Sequence, residues 1–517
     1  MSAPLLLVPL DDRPVNLDAP AQLAGVAGER LFLPSREWLG RFLQPGQPNR
    51  LADWLVRSAP DARAAILSLD MLVYGGLVAS RTPEVTVDEA LRRLQTLREI
   101  KAQWPGLRML AFNVIMRLTI TGADPETRAA GRDIFRYSVL RDRAERLGDA
   151  EAARELAAVE ACIPRRLLEA YLAARARNHA LNRAAVELLA DGVLDFLALV
   201  QEDTAPAGLH VAEQRALIAL AAGRAAPAGE RAAPERWRLY AGTDEAAMTL
   251  LARHVLGEAG IPFPVAAHFR DDAAADCPAL FEDVPLRETV RRHIDAVGGA
   301  STAEGVTLAA HTFSPPQPDL FEMPPLHAPT WDAALATFTR TNVGEWLNGL
   351  PGPLAVADLA YCNGGDPHLL DELLAKRTAD DIYGYAGWNT AGNTLGTALA
   401  HAALRSFART KGTEAVLERA HRETLLVRIL DDGLYQPIVR GWAMKRAEEL
   451  GASPLNLGPS APAVEAQVDD ALHALWADLR ARYPLAAELD RRFRATLPWG
   501  RLFEVRIELD PSVQLAG

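Results

Sequence analysis

Cysteine is nearly missing: Cys162, Cys277 and Cys362 are the only three in 517 residues, far apart and without a C-x-x-C pair. That excludes a disulfide framework and a cysteine-built zinc site, and it suits a reducing compartment. Long apolar runs are missing too, since no stretch approaches the roughly 18 residues of a membrane span. Met1-Ser2-Ala3-Pro4 and the residues after it lack the charged region, long apolar region and cleavage site of a secretory signal, so a cytoplasmic address is expected. Positive charge is the scarcer sign, with 55 Lys and Arg against 67 Asp and Glu and a net charge of −12. Nucleic acids and anionic membranes both reward clustered cations, so neither is an expected partner. There is no H-E-x-x-H, no G-x-S-x-G elbow and no P-loop Lys-Ser/Thr, and only 11 histidines. No cofactor and no resident metal are expected on these grounds.

What is present is a series of short apolar runs, each followed by polar and mostly acidic residues. Leu5–Leu10 precedes Asp11, Asp12 and Arg13, Ala64–Leu69 precedes Asp70, and Leu107–Phe112 precedes Asn113. Leu194–Val200 precedes Gln201, Glu202 and Asp203, and Trp237–Ala241 precedes Thr243, Asp244 and Glu245. Phe263–Ala267 leads to His268, Arg270 and Asp271, and Val306–Ala310 leads to His311. Leu354–Ala357 precedes Asp358, and Ile382–Ala386 precedes Trp388 and Asn389. Buried parallel strands read as apolar runs, and loops at their carboxyl ends build the sites of α/β enzymes. The pattern predicts an enzyme with one cleft assembled strand by strand.

Helical segments separate the runs: Val85–Trp104, Thr243–Gly260, Pro285–Val297 and Trp331–Leu347 carry apolar residues at three- and four-residue spacing. With Leu31–Leu33 as a short second strand, eight β/α units precede residue 315. The expected fold is a (β/α)8-barrel-like α/β domain over 1–315, followed by a smaller α/β and mainly helical region over 316–517 that contributes Trp388 and Asn389. A doubly wound parallel sheet is the alternative. Residues 125–190 show no strand signal and read as a helical insertion, either a lid or a packing subdomain. Residues 221–235 read as a surface loop. Phe313–Pro329 holds six prolines and is expected to be neither helix nor central strand.

Five segments in order resemble one bacterial family. They are Val8-Pro-Leu-Asp-Asp-Arg-Pro-Val-Asn16, Ser68–Leu77 with Ser80-Arg81, Gln201-Glu-Asp-Thr204 with Gly208, Gly242-Thr-Asp-Glu245, and Tyr385–Asn393. The family is the one known as domain of unknown function 4127 (DUF4127). The resemblance implies membership and, in many members, Asp at the position of Glu202, which keeps a carboxylate pair. It brings no chemistry with it, so activity must come from the residues.

Glu202-Asp203 comes first. Neighbouring carboxyls raise each other's proton affinity and favour one acid beside one carboxylate, as glycoside hydrolysis by two carboxyl groups requires. Asp203-Thr204-Ala205-Pro206 could instead open a helix. Asp244 and Glu245 follow the next strand and are the rival catalytic pair, or the acidic first turn of a helix capped by Thr243. Asp11, Asp12 and Arg13 suit sugar hydroxyls or simply a charge cluster. Asp70 with Tyr74-Gly75-Gly76 suits a turn that lets a ligand approach backbone, or a glycine turn and helix cap. Asn113, Arg117, His268, Arg270 and His311 are further binding candidates at strand ends, as are Asp358 and Asn363. Trp388, Asn389 and Asn393 combine a stacking face with amide forks suited to sugars, or a buried Trp beside an Asn cap.

The sequence therefore predicts a glycoside hydrolase acting on a small sugar or glycan fragment, with a substrate-assisted N-acetylhexosaminidase as its specific form. The expected partner is a small carbohydrate, and a homo-oligomer is allowed. Two rivals stand beside it. One is a metal-dependent hydrolase of phosphoester or amide bonds using Asp11, Asp12, His268, His311, Asp358 or Asp366. The other is a sugar-binding protein without catalysis.

Overall fold

The computed structural model describes residues 3–122, 124–224, 236–340 and 342–510. Its strands form where the apolar runs lie. In the first sheet these are β1 (Leu5–Val8), β2 (Leu31–Phe32), β3 (Ala64–Ser68), β4 (Arg108–Ile115), β5 (Phe196–Gln201) and β6 (Trp237–Ala241). All pair parallel, in the order β2-β1-β3-β4-β5-β6. Every residue of β1, β3 and β5 is buried, as expected for strands covered on both faces.

A second parallel sheet holds β7 (Pro264–Phe269), β8 (Ala300–Ser301), β9 (Val306–Thr312), β10 (Leu354–Leu359) and β11 (Ile382–Ala386). Its order is β11-β10-β9-β7-β8. Counted from its own first strand, this is 2-1-3-4-5, the order in which the first sheet also begins. The barrel expectation is thus corrected: the strands form two open parallel sheets, which the doubly wound alternative fits. Both readings predict the same alternation of strand and helix. Only strand order separates them, and β9 pairs with β10 rather than closing onto β1. Residue 315 consequently falls between two hydrogen-bonded neighbours of one sheet. A small antiparallel pair, β12 (Phe493–Thr496) and β13 (Arg506–Leu509), lies near the C-terminal end of the described chain.

The chain forms two compact units. The first holds residues up to Asp12, Glu29–Leu250 and Phe281–Val284. The second holds Arg13–Gly28, Leu251–Leu280 and the residues from Pro285 onward. The chain thus crosses between units immediately after β1, so helix Pro14–Val26 belongs to the second unit although β1 belongs to the first.

Residues 125–190 are helical as expected, as Pro125–Leu147, Ala150–Cys162 and Arg165–Ala190 between β4 and β5. Ile134, Tyr137, Leu140, Val159, Leu168 and Tyr171 make their own core with Met116 at the end of β4. Two local expectations change. Trp331–Leu347 is two short helices, Trp331–Thr337 and Val343–Asn348. Residues 221–224 complete helix Leu209–Arg224, and the rest of that expected loop lies outside the described residues. The proline-rich stretch is neither helix nor strand. No described helix is long and apolar enough to cross a membrane.

Candidate functional site

In the first unit the carboxyl ends of β3, β4 and β5 carry a linked polar cluster. Asp70 sits in the short helix Leu69–Tyr74, whose N-cap Ser68 accepts the Met71 N–H at 3.1 Å. Asp70 is fully buried. Its Oδ2 accepts from Asn113 Nδ2 at 3.0 Å and from the Val114 N–H at 2.8 Å, while its Oδ1 has no hydrogen-bond partner on another described residue. Glu202 and Asp203 leave β5 in different directions. Glu202 is buried and its Oε1 pairs with Arg81, with Arg117 Nη1 3.8 Å away, whereas its Oε2 is buried without a partner among the described residues. Asp203 turns outward in the left-handed region, at φ +29°, and pairs with Arg117. Its side chain is 25% exposed, against 6% for Glu202, so the two carboxyls occupy distinct environments.

The electrostatics follow. Burial pushes the Asp70 carboxyl up to about 6, opposed by its hydrogen bonds to Val114 and Asn113 and assisted by Glu202. Burial also holds Glu202 above its ordinary value, against the pull of Arg81 and Arg117, and Asp203 adds to the rise. Burial works against the Arg117 guanidinium, but Asp203 and Glu202 keep it above its usual value. The Tyr74 hydroxyl is buried, and burial pushes it far above the usual phenol range despite Arg177 stacked on its ring at 4.0 Å.

Helix Arg165–Ala190 holds this cluster in place. Arg175 Nη1 donates to the carbonyls of Met116 and Arg117, and its Nη2 pairs with Glu213 at 2.7 Å. Arg177 donates to the carbonyls of Ser80, Thr82 and Val85, and Asn178 also donates to Ser80, which fixes the turn bearing Arg81. Asn182 donates to Asn113 Oδ1 at 2.6 Å and to the Val114 carbonyl at 3.0 Å. Sequence reasoning missed these residues. The signal was there: Tyr171, Arg175, Asn178 and Asn182 recur every three or four residues, a polar stripe along a buried helix face. The insertion is a frame for the strand ends.

Other expected residues of this unit do different work. Gly75 (φ +84°) and Gly76 (φ +127°) admit another stretch of backbone: the Gly46 N–H donates to the Gly75 carbonyl at 2.8 Å. The glycine turn and helix cap account for that motif. Asp12 is tied by its main chain, its N–H to the Gly40 carbonyl and its C=O to Arg36 Nη1 at 2.6 Å. Asp11 is buried beside it in sequence. Asp244 and Glu245 are buried just ahead of helix Ala246–Ala259, and a side chain at Gly242 would strike the Glu245 carboxylate.

The remaining candidates belong to the second unit. Arg13 is buried there with its guanidinium 5.4 Å from the Trp499 ring centre. His268 lines an open cavity of about 650 Å³ with Phe269, Arg287 and Trp346. Arg270 donates to the Thr312 carbonyl at 2.9 Å. His311 is fully buried; its Nε2 is 2.9 Å from Asp366 Oδ2 and its Nδ1 has no partner among the described residues. Burial holds this imidazole below its ordinary value, against the pull of Asp366. Asp366 caps helix Pro367–Lys376, and its N–H donates to Asp358 Oδ2 at 2.6 Å. Burial, then Asp366, pushes Asp358 well above the carboxylate range.

Asn363 (φ +68°) donates from its side chain to Asp319 and from its N–H to the Asn389 carbonyl, and Asn389 is itself left-handed at φ +69°. Trp388 is buried and packs edge-on to Phe503, with ring centres 5.7 Å apart, as a core tryptophan does. Asn393 Nδ2 donates to Thr390 Oγ1 in the first turn of helix Ala391–Thr410.

A further group went unread in the sequence. The π-helix Ile429–Val439 is buried throughout, and its Asp432 takes the Gly387 N–H on Oδ2, Arg428 on Oδ1 and the Gly365 N–H on its carbonyl. It clamps the loops that leave β10 and β11. Burial, opposed by Arg428 and assisted by Asp431, pushes Asp432 up to about 7. Gly433 and Pro437 inside this stretch read as a helix break, which hid it.

Among the described residues, no three His, Cys, Asp or Glu side chains are grouped to hold a metal ion. No curated protein matches the chain, and no solved structure does. The model of the family described as protein of unknown function, DUF4127, matches residues 5–508, nearly the full 517, and the chain belongs to that family.

Proposed function

We propose that this protein is a glycoside hydrolase acting on a small sugar or glycan fragment, with Glu202 as proton donor and Asp203 as the carboxylate that orients or attacks. The observation that carries this reading is the contrast between two adjacent carboxyls at one strand end. Glu202 is buried, has an oxygen with no partner among the described residues and is held above its ordinary proton affinity. Asp203 is turned outward and bound to Arg117. Unlike environments for paired carboxyls are how one acid and one base coexist at neutral pH. Arg81 and Arg117 are each engaged by these acids, which favours a neutral hydroxylated substrate over an anionic one.

An acetamido sugar is the specific form of the proposal, with Asp203 orienting the acetamide. A panel of nitrophenyl glycosides that includes N-acetylhexosaminides tests it. Turnover in the wild type, lost by about 100-fold or more in both Glu202→Gln and Asp203→Asn, is the expected result. Full turnover in both variants removes these residues from the mechanism, and sugar binding without turnover by the wild type makes the protein a binder.

A further inference from the structure

The hydrogen bonds behind the β5 acids run in one direction. The Val114 carbonyl can only accept, so the Asn182 atom facing it at 3.0 Å is the NH2 group. That same NH2 also donates to Asn113 at 2.6 Å, so the Asn113 atom receiving it is the carbonyl oxygen. Asn113 must then turn its own NH2 toward Asp70, 3.0 Å away. The Val114 N–H points at the same Asp70 oxygen at 2.8 Å. Two donors aimed at Oδ2 leave it no room for a hydrogen of its own. Any proton on Asp70 therefore sits on Oδ1, the buried oxygen that meets no donor from another described residue.

We propose that Asp70, at the same sheet end as Glu202, takes its proton on Oδ1 alone, confined there by the chain that runs from the Val114 carbonyl through Asn182 and Asn113. The surroundings raise the proton affinity of Asp70. Its titratable neighbours are Glu202 from β5 and Tyr74 on its own helix. The cations nearby are engaged elsewhere. Arg177 of the long helix lies on the Tyr74 ring and grips the 80–85 turn, Arg93 of helix Val87–Gln103 donates to the Val73 carbonyl, and Arg81 and Arg117 pair with the β5 acids. Among the described residues no guanidinium is hydrogen-bonded to the Asp70 carboxyl, and burial takes it up to about 6.

Asp70 and Glu202 disfavour each other's ionised form, so the pair resists carrying two negative charges. An ionised Asp70 makes Glu202 hold its proton harder. Asp70 is in this sense a positioning residue for the Glu202 proton. This functional half rests on the hydrolase reading, whereas the location and affinity of the Asp70 proton do not.

The experiment separates the two. Protein labelled with 13C at aspartate Cγ is titrated as wild type, Asp70→Asn and Asn182→Leu. Asp70→Asn is isosteric with the protonated acid, its C=O taking the two donors and its NH2 taking the Oδ1 position. The expected result is a carboxyl resonance with a midpoint near 6 that is missing from Asp70→Asn and moves upward in Asn182→Leu as the anchored donor is lost. An Asp70 that titrates at the ordinary value near 3.8, or a midpoint unmoved by Asn182→Leu, overturns the proposal. Should Asn182→Leu not fold, the isosteric variant still decides the assignment. These titrations need no substrate, so failure of the glycosidase reading leaves them standing. In a wild type that turns over a glycoside, Asp70→Asn is expected to move the alkaline limb of the pH–rate profile down by about one unit. An unmoved limb breaks the link to Glu202.

Discussion

Arg175, in the middle of a 26-residue helix, donates to the main-chain carbonyl of Arg117 at 2.9 Å. The residue that binds Asp203 is therefore itself held by an insertion far along the chain. Arg175 is buried and also pairs with Glu213, whose carboxyl burial pushes up and Arg175 pulls down. Arg175→Met strands that acid and frees two carbonyls. We expect it to cost about 3 kcal/mol in denaturant unfolding, with part recovered in Arg175→Met/Glu213→Gln. A loss below about 1 kcal/mol would show that the helix does not fix the loop through this contact.

Acid should loosen the second unit through a histidine pair. His401 Nε2 and His421 Nδ1 lie 3.0 Å apart and both rings are buried. Burial drives His401 well below the ordinary value and His421 to about 4, against 6.5 when unfolded. A histidine depressed in the folded state contributes stability that is present above the unfolded value and lost as pH falls toward the folded one. The window is therefore pH 6.5 down to 4, and the loss from His421 is about 3 kcal/mol. Stability curves of wild type and His421→Gln should converge over that window. Parallel curves would mean that the pair does not titrate with unfolding.

Asp70 has the opposite sign. Its folded value, about 6, lies above 3.8, so its contribution is complete below pH 3.8 and is lost as pH rises through 6. Wild type should lose about 3 kcal/mol relative to Asp70→Asn between those limits. A difference that stays constant with pH in unfolding experiments would contradict a raised proton affinity at Asp70.

Gly365 has no room for a side chain. A Cβ there would stand 2.6 Å from the Tyr385 hydroxyl and 2.9 Å from Asp358 Oδ2. Gly365→Ala should destabilise by about 2 kcal/mol, and Tyr385→Phe should recover part of that by removing the nearer atom. Equal loss in the single and double variants would place the strain elsewhere.

The strand ends were legible because buried parallel strands are apolar and their exits are not. Asp70, Asn113, Arg117, Glu202 and Asp203 lie at the carboxyl end of one sheet. Closure was not legible, since alternation of strand and helix is the same in a barrel and an open sheet, and β9 chose β10 through contacts no local pattern encodes. Nor was the partition of the candidates between two sheets. Trp388 between glycines looked like a stacking platform, yet edge-on packing against Phe503 buries it. The 165–190 helix was legible as a helix, but what its buried polar stripe would meet could not be read without the β4 and β3 exits beside it.

The most direct test of Glu202 as proton donor is its dependence on the leaving group. Turnover of Glu202→Gln is measured on aryl glycosides whose phenols span weak to strong acids. The expected result is a large loss on poor leaving groups that shrinks steadily toward dinitrophenyl, which departs without protonation. A loss of equal size across the series would contradict the assignment.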